Sequence, residues 1–201
     1  KFLKFWNNSY HYKIIIGKNR FKIQASVIPM SNMKINMNDF EDVQESLIKK
    51  NLRVCVIGIG RIGLPTALSF AKSGLQTVGV DINESLVQNI NSGKFPLKDE
   101  PGYEKIFDDV IKNKKFFATT KIEDAVPDSD LILLSLPTPM DENNVPDYSA
   151  LRNVGSKLST ILSPNSLIIV ESTIEPGFIE NDMVSIISKS GKLDVEKNFF
   201  I

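Results

Sequence analysis

An α/β fold built on a doubly wound parallel sheet is what this sequence predicts. Three observations carry that expectation. From about residue 50 short apolar runs alternate with amphipathic stretches. The first run ends in a glycine-rich turn that opens a helix. A later run, "DLILLSL", is continuously apolar, as expected of a strand covered on both faces.

The elements follow in order. "RVCVIGI" (53–59) is a first strand ending in glycine, and "RIGLPTALSFAKSG" (61–74) a helix, with Pro65 tolerated in its first turn and Gly74 at its end. "LQTVGVD" (75–81) is a second strand. "NESLVQNINSG" (83–93) is a helix with Asn83 as N-cap and Leu86, Val87 and Ile90 on one face. "PGYEKIFDDVIKN" (101–113) puts Tyr103, Phe107 and Val110 at helical spacing, and "KFFATT" (115–120) and "DLILLSL" (130–136) are strands. "PTPMDENNVPDYS" (137–149) is a proline-broken loop. "YSALRNVGSKLSTIL" (148–162) is a helix through Leu151, Val154, Leu158 and Ile161, followed by the strand "SLIIVEST" (166–173). "FIENDMVSIISKSG" (178–191) reads as one helix through Ile179, Met183, Ile186 and Ile187, and "KNFFI" (197–201) as the opening of another strand. In such a fold ligands bind at the carboxyl ends of the strands, so chemistry is expected in the loops after residues 57, 80, 135 and 170.

Bulk properties narrow the function classes. The 201 residues carry 24 basic and 24 acidic side chains, so net charge implies no polyelectrolyte partner such as nucleic acid. One cysteine and one histidine (Cys55, His11) exclude an internal disulfide and make a metal site unexpected. The single cysteine fits a reducing compartment such as the cytoplasm. No apolar run approaches the ~20 residues of a membrane span. Residues 1–37 stand apart: the first 29 carry six basic residues and no acid, without a sustained period. They are expected to be a basic extension, disordered or non-native, preceding a single dinucleotide-binding domain over 50–201.

Gly58-Ile59-Gly60-Arg61-Ile62-Gly63 matches G-x-G-x-x-G in the strand-to-helix context that gives the pattern meaning. Gly58 permits the tight turn, Gly60 lets backbone approach a diphosphate, and Gly63 lets the helix pack close. The helix start offers N–H groups and partial positive charge to phosphates. Asp81 ends the second strand 18 residues beyond Gly63. A carboxylate there accepts from adenosine ribose hydroxyls and repels a 2′-phosphate, which favours NAD over NADP. Cys55 lies within the "VCVI" core of the first strand and is expected to be packing rather than a nucleophile. Ser135 and Thr138 after the fourth strand, and Glu171, Ser172 and Thr173 after the fifth, face the switch point. Local residues alone leave them open between cofactor contacts and ordinary loop or capping chemistry.

Taken together, "VCVIGIGRIGLPTALSFAKSGLQTVGVDIN", "DEPGY", "LPTPMDENNVPDYSAL" and "VESTIEPG" resemble the UDP-glucose/GDP-mannose dehydrogenase family, from about residue 52 to 201. The "LPTP…PD" and "EST…PG" pair is most similar to the branch acting on UDP-N-acetylmannosamine or UDP-N-acetylglucosamine. The resemblance implies a Rossmann-type NAD domain of an enzyme that oxidises the C6 alcohol of a UDP-sugar to the uronic acid. Two NAD are used, with an enzyme cysteine capturing the aldehyde and water hydrolysing the resulting thioester. It implies cofactor contacts from Gly58, Gly60, Arg61, Ile62, Gly63, Asp81, Thr138 and Thr173, with Thr173 also placing the catalytic water. Arg61 stands where the family usually has an aromatic, and Leu86 where it often has an arginine. The family's lysine and cysteine, its substrate domain and its central dimer helix are expected beyond residue 201. The doubly wound domain would then be C-terminally truncated and inactive alone. The full-length protein would be a homodimer. Two alternatives stay open here: a non-catalytic NAD-binding regulatory module, and a β-hydroxyacid-type dehydrogenase.

Overall fold

The computed structural model describes residues 4–7, 10–17, 20–24, 35, 37, 39–97 and 99–201. The chain divides into two units, Lys1–Lys34 and Ile35–Ile201. The predicted extension at 1–37 lies partly outside the described residues. Within it, β1 (Lys4–Asn7), β2 (Tyr10–Gly17) and β3 (Arg20–Gln24) form an antiparallel sheet in chain order.

The second unit opens with α1 (Phe40–Lys49), an element that the alternating pattern did not announce because it precedes the first core strand. Local chemistry accounts for it. The Asp39 carboxylate caps the backbone N–H groups of Glu41 and Asp42, and Lys50 turns the chain out at φ 58°. Its apolar residues stay largely in solvent: Phe40 is 77% and Ile48 74% exposed.

Then come β4 (Arg53–Ile57), α2 (Gly63–Lys72), β5 (Gln76–Val80), α3 (Glu84–Asn91), α4 (Tyr103–Lys112) and β6 (Phe116–Thr119). They are followed by β7 (Leu131–Leu134), α5 (Ser149–Ile161), β8 (Ser166–Val170), α6 (Val184–Ser188) and β9 (Phe199–Phe200). The six strands form one sheet in the order β6-β5-β4-β7-β8-β9, every pair parallel. This is the doubly wound order, and its direction reverses between β4 and β7. The predicted α/β class and the strand expected at "KNFFI" are both present.

Side chains alternate across the sheet as the pleat requires. Val54 and Val56 of β4 join a core with Leu64 and Leu68 of α2, Ile90 of α3 and Phe107 of α4. Cys55 and Ile57 join the opposite core with Leu151 and Leu158 of α5 and Ile187 of α6. Each such buried apolar side chain contributes roughly 1.5–3 kcal/mol of burial. The two cores hold the sheet between helical layers and fix the carboxyl edge of its strands.

One predicted helix differs. Residues 178–191 are not a single α-helix: Ile179–Met183 form a π-turn before α6. The wider turn puts Phe178 and Met183, five residues apart, on the same buried face. Gly155 of α5 makes room for this packing, since a Cβ there would lie 3.2 Å from Ile186 and 3.3 Å from Met183.

Candidate functional site

The loops that follow β4, β5, β7 and β8 meet along the carboxyl edge of the sheet. The glycine turn is fixed by backbone proximity. Gly58 has φ +89°, and its N–H donates to the Val80 carbonyl at 2.7 Å. A Cβ at Gly58 would lie 2.4 Å from the Ser135 carbonyl oxygen. A Cβ at Gly63 would lie 1.9 Å from the Gly58 oxygen. Gly63 therefore packs against the turn itself and against the residue after β7. Around Gly60 a Cβ would meet nothing within 4 Å. The turn is crowded at its ends and open in the middle, above the start of α2. That helix has no side-chain cap and no acid in its first turn. This is a cradle for an anion.

Asp81 follows β5 and is braced against the same turn. Its Oδ2 accepts from the Ile59 N–H at 3.1 Å and its Oδ1 from the Asn83 N–H at 3.0 Å. Each carboxylate oxygen has two acceptor positions, so the group can still take ribose hydroxyls. Beside it Ile82 is 95% exposed, an apolar surface at the edge of the site that the sequence did not single out. The open turn, the uncapped helix and the oriented carboxylate fit an adenine dinucleotide, and bound NAD would supply a hydride acceptor.

Arg61 is mostly exposed, and its guanidinium lies 3.3 Å from the Glu100 carboxylate, ahead of α4. Exposed Ile62 stands beside it. Sequence placed Arg61 in the turn but gave no sign of Glu100, because the pair spans 39 residues.

On the β7–β8 side, hydroxyls and carboxylates hold the loops. Ser172 Oγ donates to the Leu136 carbonyl at 2.8 Å and accepts the Leu136 N–H at 2.9 Å. This latch ties the segment carrying Thr173 to the one carrying Thr138. Thr138 is half-buried and Thr173 exposed. Glu171 accepts from Thr66 Oγ1 at 3.0 Å and from Ser135 Oγ. Nothing in the sequence pointed to Thr66; it reaches Glu171 across 105 residues. The Tyr148 hydroxyl accepts from the Glu175 N–H at 2.9 Å and steadies the following turn. Asp147 accepts the Ser149 N–H at the start of α5, and hydrogen bonds from Ser149 hold its carboxyl below the ordinary carboxylate range. The guanidinium of Arg152 bonds Asp182, which keeps it firmly protonated.

Cys55 lies fully buried in the β4 core, and desolvation pushes its thiol up to about 12. At neutral pH it is a neutral packing group, as its strand position predicted. Among the described residues no cluster of three or more potential ligands could hold a metal ion. No described helix is long and apolar enough to cross a membrane.

Comparison with known proteins identifies the family of this fold. A family model described as "UDP-glucose/GDP-mannose dehydrogenase family, NAD binding domain" matches residues 52–201. UDP-N-acetyl-D-mannosamine dehydrogenase of Campylobacter jejuni is 36% identical over 129 residues, covering 64% of this chain and 30% of that protein. A solved UDP-D-ManNAc dehydrogenase structure from Pyrococcus horikoshii aligns with a TM-score of 0.68 at 32% identity, covering 74% of this chain and 34% of that one. A ternary complex of GDP-mannose dehydrogenase from Pseudomonas aeruginosa aligns with a TM-score of 0.70 at 25% identity, covering 74% and 34%. The chain thus spans about a third of the length of the relatives it matches.

Proposed function

Because this chain belongs to the UDP-glucose/GDP-mannose dehydrogenase family, with residues 52–201 forming its NAD-binding domain, we propose that it serves C6 oxidation of a UDP-N-acetylhexosamine to the uronic acid. The observation that carries the reading is the glycine turn, open only at Gly60 and flanked by a carboxylate oriented for a ribose. Gly58, Gly60, Arg61, Ile62 and Gly63 would hold the diphosphate and Asp81 the adenosine ribose. Thr138 would touch the cofactor from the β7 loop. Thr173, exposed beyond β8, would lie at the nicotinamide and orient the water that ends the sequence.

The branch is supported by the names of relatives. The Campylobacter jejuni protein acts on UDP-N-acetyl-D-mannosamine, and a Pseudomonas aeruginosa relative, 28% identical over 151 residues, is a UDP-N-acetyl-D-glucosamine 6-dehydrogenase. The same reading makes the working enzyme a homodimer in the cytoplasm, where a buried free thiol such as Cys55 remains reduced.

Isothermal titration with NAD and NADP tests the cofactor site directly. NAD is expected to bind at least about tenfold more tightly, because Asp81 repels a 2′-phosphate; equal affinities overturn the assignment of Asp81. NADH formation by the product of the complete reading frame tests the substrate. Two NADH per sugar are expected with UDP-N-acetylmannosamine or UDP-N-acetylglucosamine, and turnover of UDP-glucose alone overturns the branch.

A further inference from the structure

Glu171 has no part in the cofactor roles given above, yet both of its carboxylate oxygens are held on the β7–β8 half of the edge. Its backbone N–H continues the sheet by donating to the Leu134 carbonyl at 2.9 Å. Its carboxylate takes the Thr66 hydroxyl from the first turn of α2 on one oxygen and the Ser135 hydroxyl from the end of β7 on the other. Both donors are neutral, so the negative charge is oriented but not cancelled. No salt bridge to Glu171 is present among the described residues. The side chain is exposed at the mouth of the switch point.

The sheet order says which part of a dinucleotide this charge would face. In the proposed site Asp81 would hold the adenosine half beyond β5, and the glycine turn the diphosphate beyond β4. A dinucleotide extended across the point of reversal would then lay its other half over β7 and β8, where Glu171 stands. That half differs in charge between the two redox states: the nicotinamide ring is cationic when oxidised and neutral when reduced.

We infer that Glu171 biases the site toward the oxidised cofactor, acting as a fixed counter-charge to the nicotinamide cation and favouring release of the reduced form. An enzyme that takes two cofactor molecules in succession benefits from such a bias. The inference rests on the proposed cofactor site.

The test measures binding of NAD+, NADH and ADP-ribose by titration calorimetry to the unaltered protein and to Glu171→Gln, with thermal melting alongside. The ratio of NADH to NAD+ dissociation constants is expected to fall about three- to tenfold in the variant, as expected for loss of one partly screened charge. ADP-ribose, which lacks the ring, should bind unchanged. A purely structural role would shift all three ligands together, and that result overturns the inference, as does an unchanged ratio. Glu171→Ala should reproduce the fall should the glutamine variant melt early. Failure of the unaltered protein to bind any of the three ligands overturns the cofactor site and this inference with it.

Discussion

The two halves of the carboxyl edge are built by different means. On the β4–β5 side the glycine turn is fixed mainly by backbone contacts, Gly58 N–H on Val80 and Gly63 against the Gly58 carbonyl, with the Asp81 carboxylate adding one side-chain bond to the Ile59 N–H. On the β7–β8 side they run through side chains: Ser172 on Leu136, and Thr66 and Ser135 on Glu171. Backbone crowding admits only glycine and is close to all-or-none. Hydroxyl latches can be removed one at a time. The β4–β5 half should therefore break sharply and the β7–β8 half loosen by degrees.

Gly63→Ala should have the largest effect. Its Cβ would lie 1.9 Å from the Gly58 oxygen and 3.0 Å from Ser135 Cβ, with no flexible chain end to give way. A cost of roughly 3 kcal/mol or more is expected. The melting transition of the 35–201 unit should fall by about 6 °C or more, with loss of NAD binding. A variant that melts normally would show that the glycine half is not backbone-locked.

Gly60→Ala sharpens the contrast within the same turn. Its Cβ meets nothing within 4 Å, and its φ lies outside the left-handed region, so alanine fits the folded chain. Stability should rise by about 0.4–1 kcal/mol through the unfolded state. NAD affinity should drop on the order of tenfold, because the methyl occupies the space a diphosphate needs. Calorimetry and melting on one sample separate the two effects; a parallel loss of both would mean that Gly60 serves the fold.

Ser172→Ala tests the other half. It removes the acceptor of the half-buried Leu136 N–H and the donor to the Leu136 carbonyl. A loss of about 1–3 kcal/mol is expected, below that of Gly63→Ala. Faster proteolysis of the 135–147 loop, without unfolding of β4 and β5, is the signature of a latch.

The same difference explains what was legible in the sequence. Gly58, Gly60, Gly63 and Asp81 could be read because a glycine turn between strand and helix imposes a fixed spacing along the chain. The strands could be read because the pleat writes a period into them, Val54 and Val56 to one core and Cys55 and Ile57 to the other. The bonds of Glu171 to Thr66 and Ser135 could not, since they span 105 and 36 residues and no local period encodes them. Arg61 was visible, but its partner Glu100 was not. The π-turn at 179–183 escaped because Ile179, Met183 and Ile187 are spaced as in an ordinary helix; the demand to bury Phe178 with Met183 is tertiary.

Asp147→Asn should have the smallest effect and the clearest dependence on pH. The carboxylate is solvent-facing and bonded to Ser149 at the start of α5, and those bonds hold its pKa below the unfolded value. A carboxyl lowered in this way stabilises the fold above the unfolded carboxylate range, and the contribution disappears as pH falls through the folded pKa. The unaltered protein should therefore melt slightly above the asparagine variant at neutral pH, and the two curves should converge in acid. A gap that persists at low pH would mean that Asp147 acts through shape. Convergence would show that even the outermost bond of this half is a separable side-chain contact, unlike the backbone packing of Gly58 and Gly63.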